Sequence, residues 1–110
     1  MSTVIVFSNF PDYQVARECT DKILKKKLAA CVNIFDGCTS VFRWQGKVEI
    51  ASEIPVFFKT TTEVYNQLEI ELANLHPYDV PEIISWPIEF GFQPYLDWIV
   101  ENVEIPKSNK

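Results

Sequence analysis

The 110-residue chain carries 15 acidic against 10 basic residues, a net charge of -5, and is 47% apolar with 14% aromatic residues. That suits one packed α+β domain over residues 1–110, and leaves no basic field for sequence-independent nucleic-acid binding or for an anionic membrane surface. No apolar run approaches the roughly 20 residues that span a bilayer, and Met1-Ser2-Thr3-Val4 lacks the basic start of a signal peptide, so a cytoplasmic protein is expected.

The run Val4-Ile5-Val6-Phe7 predicts a strand over 3–8 that is buried on both faces. Asn9-Phe10-Pro11-Asp12 closes it and opens a helix, with Pro11 in the first turn and Asp12 at the positive end of the dipole. Lys25-Lys26-Lys27 complements the negative end and reads as a solvated helix terminus. Val15, Cys19, Ile23 and Leu24 recur at helical spacing as the buried stripe.

Residues 30–60 read as two long strands joined at Trp44-Gln45-Gly46-Lys47, since β-branched and aromatic residues dominate both arms and Gly46 tolerates positive φ. Each arm holds about 14 residues, and at ~3.3 Å per residue it extends roughly 45 Å. A domain of this length has a diameter of about 34 Å. The hairpin therefore overhangs its globule, and its apolar tip of Val41, Phe42 and Trp44 invites cover by another copy of the chain. Asp36-Gly37 predicts a bulge or a sharp twist in the first arm, and Pro55 requires an edge or a bulge in the second. Cys31 and Cys38 on one extended strand stand beyond disulfide reach, and with Cys19 the three thiols are read as buried and reduced.

Thr60 and Glu63 have capping-box spacing, and Val64, Leu68, Leu72 and Leu75 give a second amphipathic helix that Pro77 stops. Tyr78-Asp79-Val80-Pro81 is a stiff loop, 82–90 returns as a strand, and 94–102 forms a short C-terminal helix with Tyr95, Trp98 and Ile99 inward. The core spans about 3–103, with 104–110 as a tail. The order is β-α-β-β-α-β, the split βαβ pattern, with two helices on one face of an antiparallel sheet. Phe35, Phe57, Phe58, Ile84 and Trp86 supply more apolar surface than one helical layer covers, which again predicts self-association.

Leu28-Ala29-Ala30-Cys31-Val32-Asn33, Trp44-Gln45-Gly46-Lys47, Glu53 with Lys59-Thr60, His76-Pro77-Tyr78-Asp79-Val80-Pro81-Glu82-Ile83 and Tyr95-Leu96-Asp97-Trp98 together resemble the CutA1 family of divalent-cation tolerance proteins. The resemblance covers 3–103. It implies a ferredoxin-like βαββαβ sandwich with a long β2-β3 hairpin and a short C-terminal helix, assembled as a homotrimer. It also implies kinship with trimeric PII signalling proteins, which bind small ligands between subunits, and a role in tolerance to divalent cations such as copper. Metal-binding members carry a cysteine at the end of the first strand and adjacent histidines before Pro-Tyr. This chain has Ser8 and Leu75-His76 there, which leaves His76 as the candidate metal ligand.

Copper favours imidazole nitrogen, which His76 supplies, although a histidine at a helix C-terminus also serves as a cap or packing residue. A second candidate site is an intersubunit cleft of Trp44, Glu53, Lys59, Tyr78 and Glu82. There Lys59 would bind a small anionic ligand or form an interfacial ion pair. One histidine and three glycines give no catalytic triad and no phosphate loop, so no enzyme and no required cofactor are expected. The expected function is divalent-cation tolerance with weak copper binding. The alternatives are a PII-like sensor of an anionic ligand and a non-enzymatic trimeric scaffold.

Overall fold

The computed structural model describes residues 2–106. Its elements are β1 (Thr3–Phe10), α1 (Tyr13–Lys25), β2 (Cys31–Ile34), β3 (Cys38–Trp44), β4 (Lys47–Thr61), α2 (Thr62–Leu75), β5 (Ile84–Pro87) and α3 (Gln93–Glu101). The sheet runs β2-β4-β1-β5, all pairs antiparallel, with β3 paired to the protruding part of β4.

Alternation along β1 and β4 sorts their side chains between two faces. Val4, Val6, Val56 and Phe58 point to the helices and pack with Ile23, Val64, Leu68 and Leu72 in the core. Phe58 is fully buried there, a correction to its expected place on the outer face. Phe57, its neighbour in sequence, does face outward, edge-on to Phe7, Phe35 and Trp86 at centroid distances of 5.4, 5.0 and 5.7 Å. Ile84 and Trp86 are exposed beside it. The outer face is thus aromatic and open in the single chain.

β4 is the long element. Its residues from Ile54 to Thr61 pair with β1, those from Val56 to Lys59 also with β2, while those from Lys47 to Glu53 pair only with β3. The radius of gyration of 14.7 Å exceeds the about 13 Å of a compact chain of this length, as an overhanging hairpin requires. Between the pairs Ile34↔Val56 and Cys38↔Glu53, the residues 35–37 stand opposite only Ile54 and Pro55. This is a bulge, with Gly37 at φ 156°. The Phe35 amide donates to the Pro55 carbonyl (3.0 Å), so the side of Pro55 that lacks an N–H faces the bulge. A proline thereby fits inside a central strand.

Several expected details shift. β1 continues to Phe10, which is fully buried, and Pro11 precedes the helix cap. Asp12 is the N-cap, its carboxylate accepting from the Val15 amide at 2.9 Å. The buried face of α1 is Ala16, Cys19, Thr20 and Ile23. Leu24, one residue and about 100° beyond Ile23, is exposed. Cap-box geometry is absent at α2: Thr61 is its N-cap without a side-chain bond, and Thr60 is buried in β4. β5 is shorter than 82–90, and in α3 only Ile99 is buried, while Tyr95 and Trp98 are exposed and stack at 5.6 Å. Of the thiols, Cys19 is buried and pushed up to about 11 by desolvation, whereas Cys38 is exposed. The tail does not begin at 104. The Glu104 amide donates to the Lys27 carbonyl (2.9 Å) and its carboxylate meets Lys27 Nζ at 3.2 Å. Residues 107–110 of the expected tail lie outside the described residues.

The hairpin tip turns with positive φ at both Gln45 (49°) and Gly46 (80°), the type I′ pattern, rather than at Gly46 alone. A Cβ at Gly46 meets nothing within 4 Å, so the cost of a side chain there is purely conformational. Gly46→Ala is therefore expected to destabilise the protein by about 1–2 kcal/mol, and Gln45→Gly to stabilise it slightly. Urea denaturation at fixed protein concentration measures both.

Candidate functional site

Asn9, near the end of β1, joins the 76–82 loop to the base of the hairpin. Its carbonyl accepts from His76 Nε2 at 2.7 Å, and its side-chain amide donates to Glu82 Oε1 at 3.1 Å. Its Oδ1 faces Cys38 Sγ at 3.9 Å, and that thiol lies 3.6 Å from Ser40 Oγ. A second tie crosses beside it, where the Tyr78 hydroxyl donates to Glu53 Oε2 at 2.8 Å. Burial, the Glu53 hydrogen bond and the charges of Glu53 and Asp12 push the Tyr78 phenol up to about 12. Tyr78 therefore stays a proton donor at neutral pH.

His76 is only 7% exposed, stacked on Phe10 at 4.5 Å and tilted against Tyr78 at 4.8 Å. The Tyr78 amide donates to Nδ1 at 3.2 Å, so Nδ1 carries a lone pair and the proton sits on Nε2, which donates to Asn9. Burial lowers the His76 pKa from its ordinary 6.5, opposed by the Asn9 bond and the Glu53 charge. In this geometry neither nitrogen is free for a cation. Ser8 is fully buried with an unpartnered hydroxyl, and Leu75 packs against the core. Among the described residues no three His, Cys, Asp or Glu side chains are grouped to hold a metal ion. The residues present do not fit a copper centre at His76.

Between the hairpin and the 76–82 loop lies an open concavity of about 790 Å³. It brings together Trp44, Glu53, Tyr78 and Glu82, four of the five cleft residues expected from sequence. Lys59 is not among them. It sits on the outer sheet face, opposite Cys31 and Ile5, where its Nζ donates to the Tyr95 hydroxyl at 3.2 Å and lies 5.3 Å from that ring's centroid. The concavity is lined by Glu49, Glu53, Asp79 and Glu82 and by no lysine, arginine or histidine. Its field therefore favours a cation, opposite to the anion expected when Lys59 was placed there. Asn9, Cys38 and Ser40 had no place in the sequence reading of this site. A polar Asn closing an apolar strand was the one available signal, and it reads equally well as a strand terminator.

A family model described as CutA1 divalent ion tolerance protein matches residues 4–102. The chain belongs to the CutA1 family. It is 44% identical over 98 residues to the divalent-cation tolerance protein CutA of Thermus thermophilus, covering 89% of this chain and 95% of that one. Human Protein CutA is 37% identical over 94% of this chain, which spans 58% of the human protein's length. The solved T. thermophilus structure superposes with a TM-score of 0.90 at 42% identity, covering 93% of this chain and 99% of that one. CutA from Xylella fastidiosa gives 0.91 at 35% identity, covering 94% and 100%. CutA1 proteins are thus similar along nearly the whole chain, overhanging hairpin included.

Tyr78→Phe leaves the carboxylate of Glu53, itself only 8% exposed, without its donor. A loss of about 1–3 kcal/mol is expected, read as a lower urea midpoint, and an unchanged midpoint would exclude this bond as a support of the loop. His76 also makes stability depend on pH. Its folded pKa lies below the unfolded value, so the unfolded chain binds the extra proton first, and stability present above about 6.5 is lost as pH falls below it. The urea midpoint of the native sequence is expected to fall across that window more steeply than that of His76→Gln.

Proposed function

We propose that this CutA1-family chain serves divalent-cation tolerance as a self-assembling, non-enzymatic protein that meets cations such as copper weakly, without a resident metal centre. The observation that carries the reading is the protruding ribbon. β3 and residues 47–53 of β4 stand beyond the sheet with Val41, Trp44 and Ile50 exposed at 63, 47 and 72%. An isolated two-stranded ribbon is marginal in water, and open apolar edges call for a covering surface. The aromatic outer face of the sheet makes the same demand.

A homotrimer of ferredoxin-like subunits is the assembly this reading favours, with hairpins reaching across neighbours and outer sheet faces enclosed. The sheet order and the placing of α1 and α2 on one face support it. Several relatives bear the name divalent-cation tolerance protein, which supports the role. Three unpaired thiols suit a reducing cytoplasm. The solved Archaeoglobus fulgidus relative is described as periplasmic, a statement about that protein. The acidic lining of the concavity favours the cation reading over a PII-like sensor of an anionic ligand.

Native mass spectrometry with and without copper(II) tests this. A trimer is expected at micromolar concentration, and Ile50→Asp, exposed in the single chain, is expected to shift it toward monomer. A monomeric native protein overturns the assembly. Copper is expected to add only in excess and equally in His76→Gln. Stoichiometric uptake that is lost in His76→Gln would instead restore a metal centre at that residue.

A further inference from the structure

We propose that Asp36-Gly37, in the bulge where the ribbon leaves the sheet, is a self-modifying site at which the chain converts its own aspartyl bond to isoaspartate through a cyclic imide. Asp36 is the one aspartate of the sequence that a glycine follows. Both residues are exposed, and they lie between the end of β2 at Ile34 and the start of β3 at Cys38, outside either ladder. Among the described residues the Gly37 amide donates to no backbone carbonyl and the Asp36 carboxylate joins no ion pair. Ladder and turn bonds tie up most main-chain amides, and this one is left open beside a carboxyl group. The chain is held on either side, by the Phe35 amide on the Pro55 carbonyl at 3.0 Å and by the pairing of Cys38 with Glu53.

The Gly37 nitrogen attacks the side-chain carbonyl carbon of Asp36. A C–N bond forms, the C–OH bond breaks, and the amide proton leaves with that hydroxyl as water. Water then adds back across one of the two carbonyl–nitrogen bonds of the imide. Opening at the side-chain carbonyl restores aspartate. Opening at the main-chain carbonyl leaves the chain running through the former side chain, with a free carboxylate on the Asp36 Cα and the net charge unchanged. Glycine suits the attack because no Cβ crowds its nitrogen. The product carries one extra methylene carbon in the backbone where three residues already face two of β4, and so alters how the ribbon departs.

The other aspartates lack this combination. Asp12 caps α1 through the Val15 amide, Asp21 pairs with Arg17 and Asp97 accepts from Gln93, so ring closure at any of them breaks a cap or a helical turn. Asp79 is exposed in a loop but precedes Val80, whose branched side chain screens the attacking amide. Water is the only co-reactant and no second copy is required, so failure of this inference leaves the proposed function untouched.

The test is ageing of the native protein at neutral pH and physiological temperature, followed by peptide mapping with electron-transfer fragmentation, which separates isoaspartyl from aspartyl bonds. Isoaspartate is expected to accumulate at position 36 at least several-fold faster than at Asp79, with an intermediate one water lighter on the same peptide. Asp36→Glu keeps the charge but lengthens the side chain by one carbon, and is expected to yield neither species. A short peptide of residues 33–40 gives the rate free of the fold. Isomerisation in that peptide and in the urea-unfolded chain but not in the native protein overturns the inference, because the bulge then protects the bond. Equal accumulation at Asp79, or none at position 36, overturns it as well.

Discussion

The structure depends on one strand doing two jobs. β4 runs 15 residues, and only Val56 to Lys59, in its second half, have strand neighbours on both sides. The first half leaves the sheet and carries β3 with it as a ribbon. The change of role falls at Pro55, where three residues of the partner arm face two of β4. A bulge adds local twist, so the ribbon departs from the sheet at a defined place. A proline without an N–H is tolerated there because the bulged arm demands no hydrogen bond from it.

That departure creates the concavity. A hairpin standing off the sheet leaves a gap beside the loop that follows α2, and polar ties close the near end of the gap. Asn9 holds His76 and Glu82, and Tyr78 holds Glu53. His76 works here as a structural element, with both nitrogens satisfied and its ring stacked on Phe10. Shape and stability are coupled at this point, since the same bonds that shape the concavity fix the loop to the sheet. Acidic groups beyond these ties line the concavity and make its wall negative.

Much of this was legible in the chain itself. A continuous apolar run placed β1, β-branched and aromatic enrichment placed the hairpin arms, helical spacing placed α1 and α2, the Trp44-Gln45-Gly46-Lys47 turn placed the hairpin tip, and arm length alone implied an overhang. Asp36-Gly37 and Pro55 marked the bulge from both sides. These are local signals, and local backbone preference is enough to write them. The motif set of the 76–82 loop was also visible, and Trp44, Glu53, Tyr78 and Glu82, expected in an intersubunit cleft, line the concavity of the single chain.

What the sequence did not carry was direction. Phe57 and Phe58 look alike in a run of apolar residues, and only the register against β1 and β2 sends one to the core and the other outward. Lys59 lies six positions after Glu53, an even spacing, yet the bulge and the departure of the ribbon part them, so Lys59 joins Tyr95 and the concavity is left acidic. The role of His76 likewise turned on Asn9 and on the Tyr78 amide, one of them 67 residues away in the chain. Sequence determined the elements, the overhang and the family, because each follows from short-range pattern. Tertiary structure decided the charge of the site and the freedom of its histidine, because both depend on which distant groups the register brings within a few ångströms.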